Sequence, residues 1–461
     1  MNLVEQLNHI FYPKAVAVIG ASNNPNKLGF MSVANLLEAG FGGRIYPINP
    51  RRLFKLLGLT VYPSLGAIPG EVDLAVIAVP AELTVSAVEE CVTKGVKGAV
   101  MFASGFRELG TEIGLELQNR IRDIANKGGL KIIGPNCLGL VNLKASLNAT
   151  FQPNFSLSKV GGVSIAAQSG GVCVYIADTL TINNVGISKA ISLGNRCNLS
   201  FDEVLAYFAE DEDTKMVIIH IEGLEKPRQL MSIARQMVKR KPIIAYKGAR
   251  GEESNRASLS HTGSLAGNYE FYKAAFTQAG MITVDNITEL VDIAKALTLQ
   301  PPSSGDRVAL LSAQAGPGMI MADKSRELGL KLADFSPVTK QRLRRLPLNT
   351  IETPVDLAWI ASDSDAYREV LTAILEDEGV DLVAVAALYF PVTMGLMRAV
   401  VDLSKYHKKP AIVCIDTPTE AACEEVKALE ESGIPAYPLP ERAVTGLAGL
   451  VRYGKILRSL S

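Results

Sequence analysis

One histidine of this chain stands in a setting that suits chemistry rather than packing. His261 lies in SLSHTGSLAG (258–267), a run of small and hydroxylated residues with no apolar periodicity around it. A neutral imidazole nitrogen is a competent nucleophile near pH 7, and a phosphorylated ring passes its phosphoryl group onward readily. His261 is therefore a candidate phosphoryl carrier, and the alternative is a solvated loop histidine with no chemical role.

A carboxylate that could orient this imidazole ends the strand-like run MVIIHIEG (216–223). The carboxyl ends of parallel strands are where ligand crevices form in α/β proteins, so Glu222 is well placed. Attack at phosphorus through one ring nitrogen requires the other nitrogen to be protonated and held, which is the role of the carboxylate in a catalytic triad. We therefore pair Glu222 with His261, and we expect His220 to be packed within its strand.

The segment that carries His261 is unusually long for a connection between elements. Residues 248–268, GARGEESNRASLSHTGSLAGN, are polar and rich in Gly and Ser. Connections of this length without periodicity are usually functional or disordered. A segment rich in Gly, Ser and Ala could move one imidazole between two sites, which a histidine fixed on a helix could not do.

A glycine-rich turn follows the first strand-like run of the chain. It reads GASNNPNKLG (20–29), and its main-chain N–H groups and the helix after it could hold a phosphate. It lacks the GxGxxG spacing, and Asn49-Pro50 ends the next run where an NAD site has an acidic residue. With Lys27 and Arg51 nearby, a phosphorylated adenosine such as that of coenzyme A fits better than NAD. The alternatives are a tight turn that serves packing alone and an NAD-dependent dehydrogenase.

A second glycine-rich turn, QSGG (168–171), lies between a strand-like run and the helical stretch VCVYIADTL. The N–H groups of Ser169, Gly170 and Gly171 would lie at a helix N-terminus, which attracts anions through unpaired donors and the helix dipole. This turn is a second candidate anion site.

Short runs rich in Val, Ile and Ala recur along the chain, each followed by a turn signal and a helical stretch. Continuous rather than alternating hydrophobicity indicates parallel sheets that are covered on both faces. The Pro- and Ser-rich stretch QPPSSGD (300–306) predicts an interdomain linker. We therefore expect an α/β fold of three doubly wound, Rossmann-like or flavodoxin-like domains with mainly parallel sheets. The predicted strands are 15–20, 44–49, 74–80, 98–104 and 131–136, then 161–171, 188–195, 216–223, 242–248 and 281–286, then 307–318, 330–335, 382–389, 409–416 and 434–440.

The totals exclude several classes of function. The 461 residues include 47 basic and 47 acidic side chains, so no field of one sign exists to attract nucleic acid or an anionic membrane. The longest apolar runs are far shorter than the roughly 20 residues that a bilayer span needs. The N-terminus has no signal-peptide pattern, so we expect a cytoplasmic protein. The six cysteines show no metal-ligand spacing, and no metal site is expected in this chain.

Six motifs together resemble one known family. GASNNPNKLG, GPNCLGLVN (134–142), AAQSGG, SLGNRCNLSFDEVL, IHIEG and SLSHTGSLAG occur in the order found in the succinyl-CoA synthetase superfamily. Over essentially its full length, the chain more closely resembles the alpha subunit of ADP-forming acetyl-CoA (acyl-CoA) synthetases. The resemblance implies a CoA-binding Rossmann-like domain (1–127), a flavodoxin-like ligase domain with a phosphohistidine loop (128–300) and a second flavodoxin-like ligase-CoA domain (307–461).

The resemblance also implies roles for individual residues. The family's phosphohistidine falls on His261 and its orienting glutamate on Glu222. The phosphate-binding helix end falls on Gln168, Ser169 and Gly170, beside Gly171. The residues implied to bind coenzyme A are Gly20, Ala21, Ser22, Lys27, Asn49, Val79, Pro80, Asn136 and Cys137.

The reaction implied is the reversible conversion of an acyl-CoA, phosphate and ADP into a carboxylic acid, CoA and ATP, with Mg²⁺. The acyl-CoA expected is acetyl-CoA. The chain contains no segment like the ATP-grasp domain of the family, so the resemblance implies a separate beta subunit that supplies the nucleotide site, in an α2β2 heterotetramer. The alternative from another class is a non-catalytic CoA-binding regulatory protein, in which a phosphoryl carrier and its glutamate would have no use.

Overall fold

The structure is a computed structural model that describes residues 2–51, 55–251, 253, 268–357, 360, 363–388, 390, 394–405, 407–416 and 419–460. Its contacts divide the chain into two compact units, Met1–Ile287 and Thr288–Ser461. The first unit contains two large sheets and the second contains one.

The first sheet is formed by short, buried apolar runs. Its strands and a small adjoining hairpin are β1 (Ala15–Ile19), β2 (Arg44–Ile48), β3 (Lys55–Leu56), β4 (Leu59–Thr60), β5 (Leu74–Ile77), β6 (Gly98–Met101) and β7 (Lys131–Ile133). The helices are α1 (Leu3–Phe11), α2 (Leu28–Glu38), α3 (Thr84–Lys94) and α4 (Glu112–Gly128). The sheet has the order β2-β1-β5-β6-β7 with parallel pairs, and the hairpin β3-β4 lies outside it.

The second sheet repeats this arrangement and extends it at one edge. Its strands are β8 (Gly139–Asn142), β9 (Leu147–Thr150), β10 (Val160–Ala167), β11 (Ile187–Ser192), β12 (Met216–Ile221), β13 (Ile243–Lys247) and β14 (Ile282–Val284). The helices are α5 (Gly170–Ile182), α6 (Phe201–Glu210), α7 (Pro227–Met237) and α8 (Tyr269–Gln278). The order is β14-β13-β12-β10-β11-β8-β9, and the hairpin β8-β9 pairs antiparallel with β11.

The third sheet belongs to the second unit. Its strands are β15 (Arg307–Ser312), β16 (Lys331–Leu332), β17 (Val355–Asp356), β18 (Leu382–Ala387), β19 (Ala411–Ile415) and β20 (Ala436–Tyr437). The helices are α9 (Ile287–Leu299), α10 (Ala315–Glu327), α11 (Pro337–Leu343), α12 (Ser364–Glu376), α13 (Met394–Ser404), α14 (Glu420–Glu431) and α15 (Pro440–Ser459). The parallel order is β16-β15-β18-β19-β20, with β17 paired to β15, and apolar clusters pack on both faces.

The predicted fold class is confirmed, because each sheet is mainly parallel and its order reverses at one strand: β1 lies between β2 and β5, β10 between β11 and β12, and β15 between β16 and β18. Each predicted strand overlaps an observed one, but the predicted strands extend too far at their carboxyl ends, where the chain already turns. The hairpin β8-β9 was not predicted. The three domain boundaries stay a prediction, and α9 packs with the second unit apart from its first residue.

Polar contacts join the two sheets of the first unit at the loop after β11. Asn195 is buried there, and its Nδ2 donates to Glu108 Oε2 at 2.6 Å and to Gln118 Oε1 at 3.0 Å. Arg107 Nη2 donates to the Asn195 carbonyl oxygen at 2.6 Å. Residues from the first sheet's helices and loops therefore hold a loop of the second sheet.

Candidate active site

The glycine-rich turn after β1 closes against the neighbouring strand ends. Gly20 has φ +91°, and a Cβ there would lie 2.5 Å from the Ala78 carbonyl oxygen and 2.8 Å from Val79 Cγ1. A Cβ on Gly29 would lie 2.1 Å from the Gly20 carbonyl oxygen. Only glycine allows both approaches. Because β1 lies between β2 and β5, the turn is at the topological switch point, where α/β sheets form their ligand crevices.

Asn49 fixes the same turn from the end of β2. Its Nδ2 donates to the Ala21 carbonyl oxygen at 2.6 Å, and the Ala21 N–H donates to the Ile48 carbonyl oxygen at 3.0 Å. The structure thus brings together the predicted CoA-binding residues Gly20, Ala21, Asn49 and Val79.

The other predicted residues of this turn lie around it. Ser22 Oγ accepts a hydrogen bond from the Asn24 N–H at 3.1 Å. Lys27 is exposed and directly precedes α2, without a side-chain cap. Pro80 begins the short turn after β5, and its carbonyl oxygen accepts from the Leu83 N–H at 3.0 Å. An exposed cation at a helix start leaves both charge and N–H groups available to a phosphate.

A cavity of about 560 Å³ lies within the first unit, lined by residues of both sheets. Its lining includes the predicted CoA-binding residues Asn136 and Cys137 and the whole predicted phosphate site, Gln168 to Gly171, together with Leu28 at the start of α2. This volume is in the range of small-molecule sites. Part of the predicted CoA site and the whole predicted phosphate site therefore line one cavity.

Cys137 contributes shape rather than reactivity to this cavity. Its Sγ donates to the carbonyl oxygens of Met101 at 3.4 Å and Ile133 at 3.3 Å. Burial raises the pKa of the Cys137 thiol to about 12, so the group stays protonated at neutral pH. Beside it, Asn136 has φ +55°, and its N–H donates to the Ala103 carbonyl oxygen at 2.9 Å.

The predicted phosphate site is the N-terminus of α5. Ser169 is the N-cap, and its Oγ accepts from the Val172 N–H at 3.4 Å. The first N–H groups of a helix have no partner within it, so those of Gly170 and Gly171 can bind an anion. A Cβ on Gly170 would lie 2.9 Å from Leu138 Cβ, which explains the small residue at this position.

Gln168 links this helix end to Glu222. The buried Gln168 side chain accepts hydrogen bonds at its Oε1 from the N–H groups of Glu222, at 3.0 Å, and Gly223, at 3.1 Å. The Gln168 N–H donates to the His220 carbonyl oxygen at 2.9 Å, because β10 and β12 are paired neighbours. The orienting carboxylate proposed from the sequence therefore lies one strand away from the phosphate site.

Two buried cations that the sequence reasoning missed lie near Glu222. Burial lowers the pKa of Lys247 to about 8, and the Glu222 carboxylate opposes this effect. Burial also lowers the pKa of Arg196 to about 10, with Glu225 as the largest opposing charge and Glu222 a smaller one. Arg196 has φ +54° in the loop after β11. Positive charge is thus concentrated where the proposed phosphoryl transfer would take place.

His220 is packed, as expected from the sequence. It is 2% exposed, its ring lies 5.5 Å from that of Tyr246, and its Nδ1 has no hydrogen-bond partner among the described residues. Burial, and then the charge of Lys247, lowers the pKa of His220 to about 4. The imidazole is therefore neutral at physiological pH.

His261 lies outside the described residues, so its pairing with Glu222 stays a prediction. The described residues before it are firmly held. Arg250 Nε donates to the Lys247 carbonyl oxygen at 2.9 Å, and its Nη1 binds Asp285 Oδ1 at 2.9 Å. The segment that carries His261 therefore starts from a fixed point at the end of β13, next to Glu222.

The cavity has further lining residues that the sequence reasoning did not identify. Phe102 and Phe151 meet edge to face at 5.1 Å between ring centroids, and Tyr175 and Asp178 project from α5. Burial raises the pKa of the Asp178 carboxyl. Two signals were available: Phe102 directly follows a parallel strand, and Gly171, Tyr175 and Asp178 recur at helical spacing after QSGG.

Two further properties concern only the described ranges. There, no three His, Cys, Asp or Glu side chains come together in a way that could hold a metal ion. None of the helices in these ranges combines the length and the apolar character that a bilayer crossing requires.

Comparison with known proteins supports the resemblance that the six motifs indicate. Residues 14–142 match the family model of a CoA binding domain, and residues 160–297 match that of a succinyl-CoA ligase like flavodoxin domain. The acetate–CoA ligase [ADP-forming] II subunit alpha of Pyrococcus furiosus is 38% identical over 459 residues, covering 97% of this chain and 98% of its own. The acetate–CoA ligase [ADP-forming] I of Archaeoglobus fulgidus is also 38% identical, and this chain spans 64% of its length.

Comparison with solved structures supports the same family. The dinucleotide forming acetyl-coenzyme A synthetase 1 of Ca. Korarchaeum cryptofilum, in complex with phosphate and ADP, matches with a TM-score of 0.89, 33% identity and 98% coverage of both chains. The resemblance drawn from the six motifs is thereby confirmed. The chain belongs to the family of ADP-forming acetate–CoA ligase alpha subunits, which are enzymes of the ligase class.

Proposed function

We propose that this chain is the alpha subunit of an NDP-forming acyl-CoA synthetase, which interconverts acyl-CoA, phosphate and ADP with carboxylic acid, CoA and ATP. The observation that carries the proposal is the cavity shared by Asn136, Cys137 and the helix end at Gln168 to Gly171. A thioester and a phosphate ion bound there would meet beside Glu222. The names of the relatives support acetyl-CoA as the substrate.

Coenzyme A would be held by the turn of Gly20, Ala21 and Ser22 with Lys27, and along the strand ends that carry the remaining predicted residues, Asn49, Val79, Pro80, Asn136 and Cys137. The absence of a Cβ at Gly20 and Gly29 lets the turn close tightly, because a Cβ at either position would meet a main-chain carbonyl oxygen. The free donors of α5 would bind the phosphate.

The reaction takes place in three transfers. A phosphate oxygen attacks the thioester carbonyl carbon, the C–S bond breaks, and CoA leaves as the thiol after taking a proton, which produces an acyl phosphate. A nitrogen of His261 then attacks phosphorus, the P–O bond to the acyl group breaks, and the carboxylate leaves. Finally, the terminal phosphate oxygen of ADP takes the phosphoryl group from His261 and yields ATP.

Glu222 supports the second transfer. Its carboxylate would accept the N–H of the nitrogen that does not attack, which fixes the ring and stabilises the positive charge that develops on it. The N–H groups of Ser169 to Gly171 would stabilise the phosphoryl oxygens in the same step. The Gly- and Ser-rich composition around His261 suits an imidazole that must serve two sites.

The nucleotide site is assigned to a partner. The alpha-subunit names of relatives that match this chain over nearly its full length support a second subunit. We propose that this subunit contains an ATP-grasp domain, binds ADP or ATP with Mg²⁺, and assembles with this chain as an α2β2 heterotetramer.

The test is phosphoenzyme formation. The chain, copurified with its partner, is incubated with acetyl-CoA and radiolabelled phosphate, and acid-labile, base-stable label on this chain is measured. We expect label on the wild type and on His407→Asn, and none on His261→Asn, while all three bind CoA equally. CoA binding without any label on the wild type would instead indicate the regulatory protein, and NAD binding without CoA binding would indicate a dehydrogenase.

A further inference from the structure

Lys247 is a buried charge that the proposed steps do not use. It is the last residue of β13 and is 2% exposed. Its ammonium group donates to the carbonyl oxygens of Gly248 and Ala249, the latter at 3.2 Å, and lies 4.9 Å from the ring centroid of Tyr272. Burial of a lysine costs free energy, so its retention requires an interaction that a neutral side chain could not provide.

The carbonyl partners of Lys247 do not supply that interaction. Both belong to the next residues along the chain, so these hydrogen bonds connect no distant elements. Lys241, before the other end of β13, differs in this respect. Its Nζ donates to the carbonyl oxygens of Phe208 at 2.8 Å and Asp211 at 2.7 Å, and so ties β13 to the end of α6. Lys241 therefore has a purely structural explanation.

Glu222 is the charge that Lys247 faces. The strands that end at Ile221 and Lys247 are paired in register, and the Gly248 N–H donates to the Ile221 carbonyl oxygen at 3.0 Å. Glu222 Cγ would lie only 3.4 Å from a Cβ on Gly248, the residue whose carbonyl oxygen binds the ammonium group. The Glu222 side chain and the Lys247 ammonium group thus both lie beside Gly248.

Tyr272 completes the arrangement from α8. Its ring covers the ammonium group, and its hydroxyl oxygen accepts from the Leu224 N–H at 3.0 Å, in the turn that follows Glu222. The same tyrosine therefore contacts both the lysine and the turn that carries the glutamate, which limits the movement of either.

We propose that Lys247 is a positioning residue, which holds the Glu222 carboxylate in place to orient the imidazole of His261. This inference rests on the proposed function. Lys247 also holds the described residues at the start of this segment, because it binds the carbonyl oxygens of Gly248 and Ala249.

Lys247 also changes its protonation state within a pH range that can be tested. Burial lowers its pKa to about 8, so its proton is lost above that pH and the support for Glu222 weakens. The charged or titratable groups around it are His220 from β12, Glu222 directly after β12, Tyr272 from α8 and Arg250 from its own loop. An arginine at position 247 would keep its charge throughout this range.

The experiment measures the initial rate of acid-labile labelling from acetyl-CoA and radiolabelled phosphate in the copurified complex between pH 6.5 and 10. Lys247→Met should lower the rate on the order of a hundredfold at neutral pH without changing CoA affinity. Lys247→Arg should retain most of the neutral rate and lack the decline above about pH 8 that the wild type shows. Lys241→Met is the matched control, with reduced thermal stability but the rate and pH profile of the wild type.

Two results would overturn the inference: Lys247→Met labels as fast as Lys241→Met, or Lys247→Arg keeps the alkaline decline of the wild type. Should Lys247→Met not fold, the profile of Lys247→Arg decides alone. An unlabelled wild type contradicts the proposed function instead, so the two failures are distinguishable.

Discussion

The side-chain oxygen of Gln168 accepts hydrogen bonds from the main-chain N–H of Glu222, at 3.0 Å, and from that of its neighbour Gly223. This contact joins the end of β10, where the proposed phosphate site begins, to the end of β12, where the proposed orienting carboxylate lies. One buried amide therefore links the two groups, in addition to the pairing of β10 with β12.

Replacing Gln168 should disturb both stability and chemistry. Gln168→Leu would leave two N–H groups without their acceptor, at a cost of about 1 to 3 kcal/mol each when buried. We expect a lower free energy of unfolding in urea and slower phosphoenzyme labelling. Gln6→Leu, which removes another buried amide that binds the carbonyl oxygens of Lys97 and Gly129, is the control, and equal labelling rates for the two variants would show that the Gln168 contact has no role in positioning.

Removing the charge of Glu222 should affect phosphoryl transfer alone. Glu222→Gln should reduce the labelling rate by about a hundredfold or more, because an amide does not stabilise the positive charge on the imidazole. Glu225→Gln is a matched control in the same turn, since Glu225 is 47% exposed and pairs with Arg107 at 2.9 Å. CoA affinity, measured by titration calorimetry, should be the same in both variants. A labelling rate in Glu222→Gln equal to that of Glu225→Gln contradicts the assignment.

A methyl group at Gly20 should weaken CoA binding. Gly20→Ala places a Cβ 2.5 Å from the Ala78 carbonyl oxygen at φ +91°, so the turn must open. Gly110→Ala meets the same backbone preference at φ +67° with nothing within 4 Å, and it controls for the conformational cost alone. Calorimetric titration with CoA should show a tenfold or greater loss of affinity, roughly, for Gly20→Ala and none for Gly110→Ala. Equal affinities would exclude this turn from the CoA site.

The buried His220 should make the fold sensitive to acid. Its pKa falls from the ordinary value of 6.5 to about 4 on folding, so below pH 6.5 the unfolded chain binds a proton that the folded chain does not. Stability is therefore lost as the pH falls from 6.5 towards 4. Relative to His220→Leu, the wild type should lose on the order of 3 kcal/mol over this range, measured by urea unfolding. Parallel pH profiles would contradict the lowered pKa.

Much of the fold could be predicted because the strands are both apolar and buried. Runs such as LAVIAVP (74–80) are best explained as buried strands. They alternate with helical stretches along the chain, and this alternation predicts parallel sheets. The predicted ends were less accurate, since Ala78, Val79 and Pro80 continue the apolar run after β5 has ended. The hairpin β8-β9 was missed because GLVN and LNAT are too short to be distinguished from loops by periodicity.

The candidate site could be predicted in part. Glycine-rich turns and a glutamate at a strand end have local signatures, and the structure places Glu222 beside the second of these turns, QSGG (168–171). Lys247 and Arg196 have no such signature, because a charged residue after an apolar run looks like the exposed end of a strand. Their burial results from the packing of α8 and of the loop after β11, which no local pattern records. His261 stays a prediction from sequence.

The cavity has one further consequence, because its walls come from two sheets that Asn195 and Arg107 join. A ligand that binds only the joined form stabilises that form by mass action, by about 2.7 kcal/mol at a concentration one hundred times its Kd. Coenzyme A should thus stabilise the contacts between the two sheets, and this stabilisation should increase with its concentration. Without coenzyme A, the contacts between the two sheets should break more often. Amide hydrogen exchange at the loop after β11 should therefore be faster than when coenzyme A is bound.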